Sequence, residues 1–201
     1  MEFNESVTKT NLARSFAAEC QAGARYQFMS KMALQDSQKF LSDTMKTLAK
    51  NEMAHAKVFY DYIIEKSAGR CKNIAIEAGY PFENPELKTS LLGEAMIELS
   101  EAQNIYPSFA KIAYDEGFTD IGKTFDMVAR VEETHHRMLN YLGNLYKSGN
   151  MYKRKTPTKW KCSVCGYVEN AKEGFKECPL CHAPQGFTII DMEKENTEIN
   201  C

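Results

Sequence analysis

The sequence predicts a mainly α protein, a four-helix bundle followed by a small, cysteine-stapled, metal-bound β module. Two observations predict it. Leu41, Met45, Leu48, Glu52, His55, Phe59 and Tyr62 recur 80 positions later as Ile121, Phe125, Val128, Glu132, His135, Leu139 and Leu142. Their spacing alternates four and three, the period of one buried helix face. Towards the C-terminal end, Cys162-x-x-Cys165 and Cys178-x-x-Cys181 form two knuckles with the spacing of a tetrahedral metal site.

Along the chain, a first helix is expected over residues 5–35, with Leu12, Phe16, Glu19, Gly23 and Tyr26 on one face. A second runs over 38–67 and stops at Ala68-Gly69, a C-cap pair. Residues 70–86 contain Gly79, Pro81 and Pro85 and read as a long connection, with a short helical turn at Ile74 to Ala78. The third helix is expected over 87–116, before Gly117, and the fourth over 120–148, before Gly149. Short links within each pair and one long crossover describe a ferritin-like bundle whose two-helix unit is duplicated about a pseudo-twofold axis. The domain division expected is 1–150 for the bundle, 151–158 for a linker with Pro157, 159–192 for the small module and 193–201 for a polar tail.

Composition narrows the function classes. Net charge is -2, with 25 basic and 27 acidic residues intermixed, so there is no electrostatic footprint for nucleic acid or an anionic membrane. No apolar run approaches the length of a membrane span, and Met1 to Thr10 lacks the core of a signal peptide, so the expected location is cytoplasmic. Seven cysteines, an odd number, argue against a disulfide framework; Cys20, Cys71 and Cys201 are expected as free thiols.

Both copies of the apolar stripe are interrupted at the same place by Glu-x-x-His. A carboxylate and an imidazole on a core face need a compensating partner. Symmetric interruptions point to a shared one, and metal is the simplest. The set is Glu19, then Glu52 and His55, in the first half, and Glu98, then Glu132 and His135, in the second. One Glu from each of two helices and a Glu-x-x-His from each of the other two is the ligand pattern of di-iron and di-manganese carboxylate bundles. A single Glu-x-x-His is common on helix surfaces; two, on the buried stripes of both repeats, are not.

Glu101 breaks the symmetry, because its counterpart is Ala22. With five carboxylates, two ferric ions and an oxo bridge sum to minus one, and two ferrous ions without the bridge give the same total, so a two-electron cycle leaves the buried charge unchanged. The repeat offset also changes, from 79 at Glu19/Glu98 to 80 at Tyr26/Tyr106. One extra residue in the third helix predicts a π-bulge near Glu101, upstream of Pro107. Tyr26 and Tyr106 are expected to donate their hydroxyls to ligand carboxylates and fix their orientation.

In the C-terminal module, Trp160, Tyr167, Phe175 and Phe187 would form a small core against the knuckles. The cysteine spacing leaves zinc and iron open.

Taken together these residues resemble the rubrerythrin family over nearly the whole chain. The resemblance rests on Glu19 with Tyr26, Glu52-Met-Ala-His55, Glu98-Leu-Ser-Glu101 before Ile105-Tyr106-Pro107, Glu132-Glu-Thr-His135, Trp160-Lys-Cys-Ser-Val-Cys-Gly-Tyr and Cys178-Pro-Leu-Cys181. It implies a non-haem di-iron site, oxo- and carboxylate-bridged when oxidised, on Glu19, Glu52, Glu98, Glu101, Glu132 and His135. His55 would bind in the reduced state, one iron moving between the positions of Glu101 and His55. It implies a further iron on Cys162, Cys165, Cys178 and Cys181 of a rubredoxin-like domain. The activity implied is reduction of hydrogen peroxide to water in oxidative-stress defence, in anaerobes or microaerophiles. Electrons would come through an external donor, a rubredoxin or an NAD(P)H-dependent oxidoreductase. His182 departs from the family, standing after the fourth cysteine where rubredoxins usually carry Gly in a left-handed conformation.

His135 lies 14 residues before Gly149, which puts the carboxylate site roughly 20 Å from the point where the small module attaches. A head-to-tail homodimer, each module facing its partner's bundle, would shorten the electron route, and the resemblance implies the same arrangement. Two other classes compete: an iron-storage ferroxidase on the same bundle, and a zinc-stabilised interaction module on a structural one. Glu101 and the attached redox module argue against storage, which needs no electron return path.

Overall fold

The structure is a computed structural model that describes residues 1–70, 73–82, 86–190 and 192. A 3-10 turn, Phe3–Glu5, precedes α1, Val7–Gln35. Ser6 caps this helix, its hydroxyl oxygen accepting from the Lys9 N–H (3.1 Å). A tight turn with Ser37 at φ 58° leads to α2, Lys39–Ser67, which ends on left-handed Ala68 and Gly69, the expected stop.

The third helix is split. α3, Leu87–Ser100, passes into a π-helical segment, Glu101–Ile105, and then α4, Tyr106–Asp115. The Tyr106 N–H donates to the Glu101 carbonyl, five residues back, as the offset change predicts. Pro107, with no N–H to give, follows directly. α5, Thr119–Ser148, stops at Gly149 in the left-handed region.

The helical turn expected at Ile74 to Ala78 is absent: residues 73–82 carry no regular structure, and Ala78 to Pro81 line a cavity with residues of α1, the π segment and α4. Cys71, Pro85, Cys201 and the expected 193–201 tail lie outside the described residues. The stretch read as a linker is ordered differently. Met151 and Tyr152 are buried, and β1, Lys153–Cys162, begins immediately after them. β1 is the centre of an antiparallel sheet of order β2-β1-β3, with β2 at Val168–Glu173 and β3 at Thr188–Ile189. Its register shifts between Lys153 and Thr158, so Pro157 sits where no ladder bond is required.

α1 packs on α2, and α3 and α4 pack on α5, giving the ferritin-like paired bundle. The apolar interior is in two parts. One, with Leu12, Phe59, Tyr106, Ile121 and Phe125, fills one half of the bundle. The other, with Met29, Leu41, Met45, Leu91, Leu139 and Leu142, continues into Trp160 and Ile190 of the small module. Both duplicated stripes face inward: apart from half-buried His55 and Tyr62, every member is buried.

Candidate metal centres

Between the two apolar clusters lies a layer of buried carboxylates. α1 supplies Glu19, α2 Glu52 and His55, α3 Glu98, and α5 Glu132 and His135. Glu19, Glu52, Glu98 and Glu132 are each at most 2% exposed. A spacing of three keeps each Glu and His on one helix face, so one buried stripe delivers both.

The six residues form two overlapping groups, Glu19/Glu52/His55/Glu132 and Glu52/Glu98/Glu132/His135, with ligand atoms in each within 4.8 Å of one another. Glu52 and Glu132 belong to both, the placement two metal ions sharing bridging carboxylates require. Glu101 belongs to neither. It lines a cavity beside the layer with Arg14 and Tyr80.

His55 Nδ1 pairs with Glu52 Oε2 at 3.1 Å, but several other atoms approach closely without a hydrogen bond. His135 Nδ1 stands 2.7 Å from Glu132 Oε2 and 3.0 Å from Glu52 Oε1. Yet His135 Nδ1, Glu52 Oε1, Glu98 Oε2 and both Glu132 oxygens make no hydrogen bond among the described residues. Within each group these atoms crowd to within 4.8 Å of one another. Buried, unpaired oxygen and nitrogen donors converging in this way fit hard or borderline metal ions such as iron or manganese.

Electrostatics agree. Burial pushes every carboxyl in the layer up; at Glu19 and Glu98 it prevails, holding both well above the usual range. Burial, with the charges of Glu132 and Glu52, raises Glu101 to about 8. At Glu52 and Glu132 the imidazoles outweigh burial, bringing Glu52 down to about 2 and Glu132 below its usual value. Burial would lower the imidazoles, but the carboxylates around them push both up to about 12. Without metal, protons must neutralise the layer; metal would displace them.

Tyr26 donates its hydroxyl to Glu98, and Tyr106 donates to Glu19. Each tyrosine therefore holds the carboxylate of the other repeat. The π segment makes this possible, since one residue of α-helical register would turn Tyr106 about 100° from its partner. Two contacts were not anticipated from the sequence. Asn51 Nδ2 lies 3.3 Å from His135 Nε2. With Nδ1 bound to a metal, Nε2 would carry the remaining proton, and the Asn51 amide, turned over, would accept it through its oxygen. Its counterpart in the other repeat is Val131, an asymmetry of the kind that marks Glu101. Arg25 also clasps Glu94, donating from Nε to Oε1 at 2.7 Å and from Nη2 to Oε2 at 3.1 Å, and ties α1 to α3.

In the small module the four sulfurs lie within 4.8 Å of one another. Cys162 and Cys181 Sγ are 3.7 Å apart, Cys165 and Cys178 Sγ 3.6 Å. Sulfurs about 2.3 Å from a tetrahedral centre would be about 3.8 Å apart, so the cage fits a single ion. The knuckles are built alike: the Gly166 N–H donates to the Cys162 carbonyl and the His182 N–H to that of Cys178. Gly166 has φ 79° and His182 φ 60°, so His182 does occupy the left-handed position. Glu177 Oε1, 2.7 Å from its Nδ1, helps hold the ring there. Cys20 is a free thiol, as expected.

A model of the rubrerythrin family matches residues 10–143 and again 87–172, and a model of the rubrerythrin rubredoxin-like domain matches 160–187. The rubrerythrin of Clostridium perfringens is 35% identical over 187 residues, covering 92% of this chain and 95% of the relative. That of Nitratidesulfovibrio vulgaris is 33% identical over 182 residues, 90% and 92% of the two chains. Among solved structures, fully reduced nigerythrin superposes with a TM-score of 0.60 at 23% identity, covering 94% of this chain and 92% of that one, which speaks for the fold. With its carboxylate–histidine di-iron candidate and four-cysteine rubredoxin-like cluster, the chain belongs to the rubrerythrin family.

Proposed function

We propose that this protein is a peroxidase that reduces hydrogen peroxide to water in defence against oxidative stress, fed by an external donor through the four-cysteine centre. The observation that carries the reading is the pair of overlapping ligand groups sharing Glu52 and Glu132, in one chain with a second, sulfur-lined cage. The balance is one peroxide, two electrons and two protons to two waters. Iron bound in the carboxylate layer would supply the two electrons and a template for the O–O bond.

The chain's own residues do the rest. Glu19, Glu52, Glu98, Glu132 and His135 are the ligands we assign; Glu101 would complete the set when the metal pair is oxidised, and His55 would bind when it is reduced. The half-buried position of His55 inside one ligand group, with Glu101 outside both, supports that exchange. Tyr26 and Tyr106 fix two carboxylates so that neither swings when the charge changes. The apolar clusters on either side limit the access of water to the layer.

Cys162, Cys165, Cys178 and Cys181 would hold the relay iron. The module rests on the α1–α2 end of its own bundle, where the Tyr152 hydroxyl donates to Gln38 Oε1 (2.7 Å). Gln38 lies fourteen residues before Glu52, about 21 Å along α2. That separation favours delivery to a partner's bundle in a head-to-tail homodimer, with NAD(P)H as ultimate reductant through a rubredoxin or an oxidoreductase.

The test is peroxide consumption by iron-loaded protein supplied with such a donor. Cys178→Ser should abolish steady turnover yet leave one burst of peroxide reduction by pre-reduced protein; Glu52→Ala should lose both. Undiminished turnover in Cys178→Ser would overturn the relay.

A further inference from the structure

A cavity of about 210 Å³ lies between α1, the π segment with α4, and Ala78 to Pro81 of the long connection. That is several times the space of a water molecule, to which hydrogen peroxide is close in size. Ile97, Phe109 and Pro81 make part of its wall apolar. Its polar part is unsatisfied: Ser15 Oγ, Arg14 Nε and the Tyr80 hydroxyl are buried with no hydrogen-bond partner among the described residues. Ser15 is only 2% exposed, so bulk solvent does not serve it. Such groups are costly to leave unpaired and mark a place for a hydrogen-bonding ligand. The cavity also reaches the carboxylate layer, for Glu101 and Tyr106 line it, and Tyr106 is the residue that holds Glu19.

We propose that this cavity is a substrate pocket for small alkyl hydroperoxides, whose O–O–H end meets Arg14, Ser15 and Tyr80 while the alkyl group lies on Ile97, Phe109 and Pro81. The inference rests on the peroxide reading above and extends its substrate class. An alkyl hydroperoxide offers two acceptor oxygens, one donor hydrogen and an apolar body, which matches the two-sided wall; hydrogen peroxide matches only the polar side. A six-heavy-atom molecule such as tert-butyl hydroperoxide suits a pocket below the drug-sized range. The reaction balances as ROOH + 2 e⁻ + 2 H⁺ → ROH + H₂O. The O–O bond breaks, both oxygens are reduced, the electrons come from the external donor already invoked and the protons from solvent.

The test compares kcat/KM for tert-butyl hydroperoxide and hydrogen peroxide on iron-loaded protein with one donor. The two should agree within about tenfold, since an alkyl group of this size changes pocket affinity by that order. Ala78→Phe, which adds bulk from the connection rather than from a helix, should cut kcat/KM for the alkyl substrate about tenfold or more and leave hydrogen peroxide unchanged. Independently of turnover, holoprotein crystals soaked in tert-butyl alcohol, the product, should show it against Ser15 and Tyr80. Reduction of hydrogen peroxide alone, equal losses for both substrates in Ala78→Phe, or soaked crystals with only water in the cavity would each overturn the proposal. If neither peroxide is consumed, the peroxidase reading falls separately, and the soak still decides the cavity.

Discussion

Tyr26 and Tyr106 exchange partners across the pseudo-twofold axis, and that exchange is the clearest residue-level statement of what the duplication is for. Removing one hydroxyl leaves a buried carboxylate free to rotate while the fold is kept. Tyr106→Phe is therefore expected to weaken iron retention about 10- to 100-fold, measured by chelator competition, with helix content unchanged. Glu101 makes a prediction about pH. Its carboxyl, raised by burial and neighbouring charge to about 8, binds a proton in the fold that it would release in the unfolded chain. Its stabilising contribution is complete below the unfolded value near 4.5 and is lost as pH rises through about 8. Apoprotein prepared by chelation should lose stability to urea between pH 5 and 8, and Glu101→Gln should flatten that slope. The buried carboxylates and imidazoles of the layer could be read in the sequence because a Glu-x-x-His on each duplicated stripe is a one-dimensional signal. The exchange of tyrosine partners could not, because nothing local says which helix lies opposite. Asn51, opposite Val131 in the other repeat, carries the same kind of asymmetry as Glu101, but an amide on a helix has no spacing signal of its own.

At the scale of elements, the π segment at Glu101–Ile105 shows how a counting argument reaches three dimensions. A residue added within a helix must go somewhere, and here it widens one turn beside the carboxylate layer. The helices were legible to within a few residues, since four long amphipathic stripes with Gly stops leave little choice. The connection and β1 were not. Pro157 and the run of basic residues suggested a linker, whereas pairing with β2 and burial of Tyr152 against Trp160 make it part of the sheet. Nor does any sequence pattern reveal the second cap of α1, beyond Ser6. Glu116, just beyond α4, accepts from the Val7 and Thr8 N–H groups at 2.9 and 2.8 Å and caps α1 from more than a hundred residues away. Despite partial burial, the Thr8 hydroxyl and these N–H groups hold its carboxyl below the usual range. Glu116→Gln should cost about 1 kcal/mol of stability at pH 7, as loss of a helix cap does. Because the folded carboxyl is the stronger acid, the difference from wild type should shrink as pH falls through the carboxylate range.

For the whole molecule, the two domains share one apolar cluster, so the small module is seated on the bundle. The seat is close: a Cβ on Gly186 would lie 1.7 Å from the Ser37 carbonyl oxygen. Gly186→Ala is expected to unseat the module, raising the radius of gyration in solution scattering while both metal centres still load. Bundle and module were each legible as units from the stripe and the knuckles; their mutual seating was not, because it depends on one glycine meeting one turn. The proposed function requires the two kinds of metal centre to act in one chain. Anaerobic iron loading followed by Mössbauer spectroscopy during a hydrogen peroxide titration tests it most directly. It predicts about three irons per chain, one in a tetrahedral sulfur site and two that are oxidised together by one equivalent of peroxide. Zinc in the cysteine cage, an iron pair inert to peroxide, or a growing ferric core would contradict it.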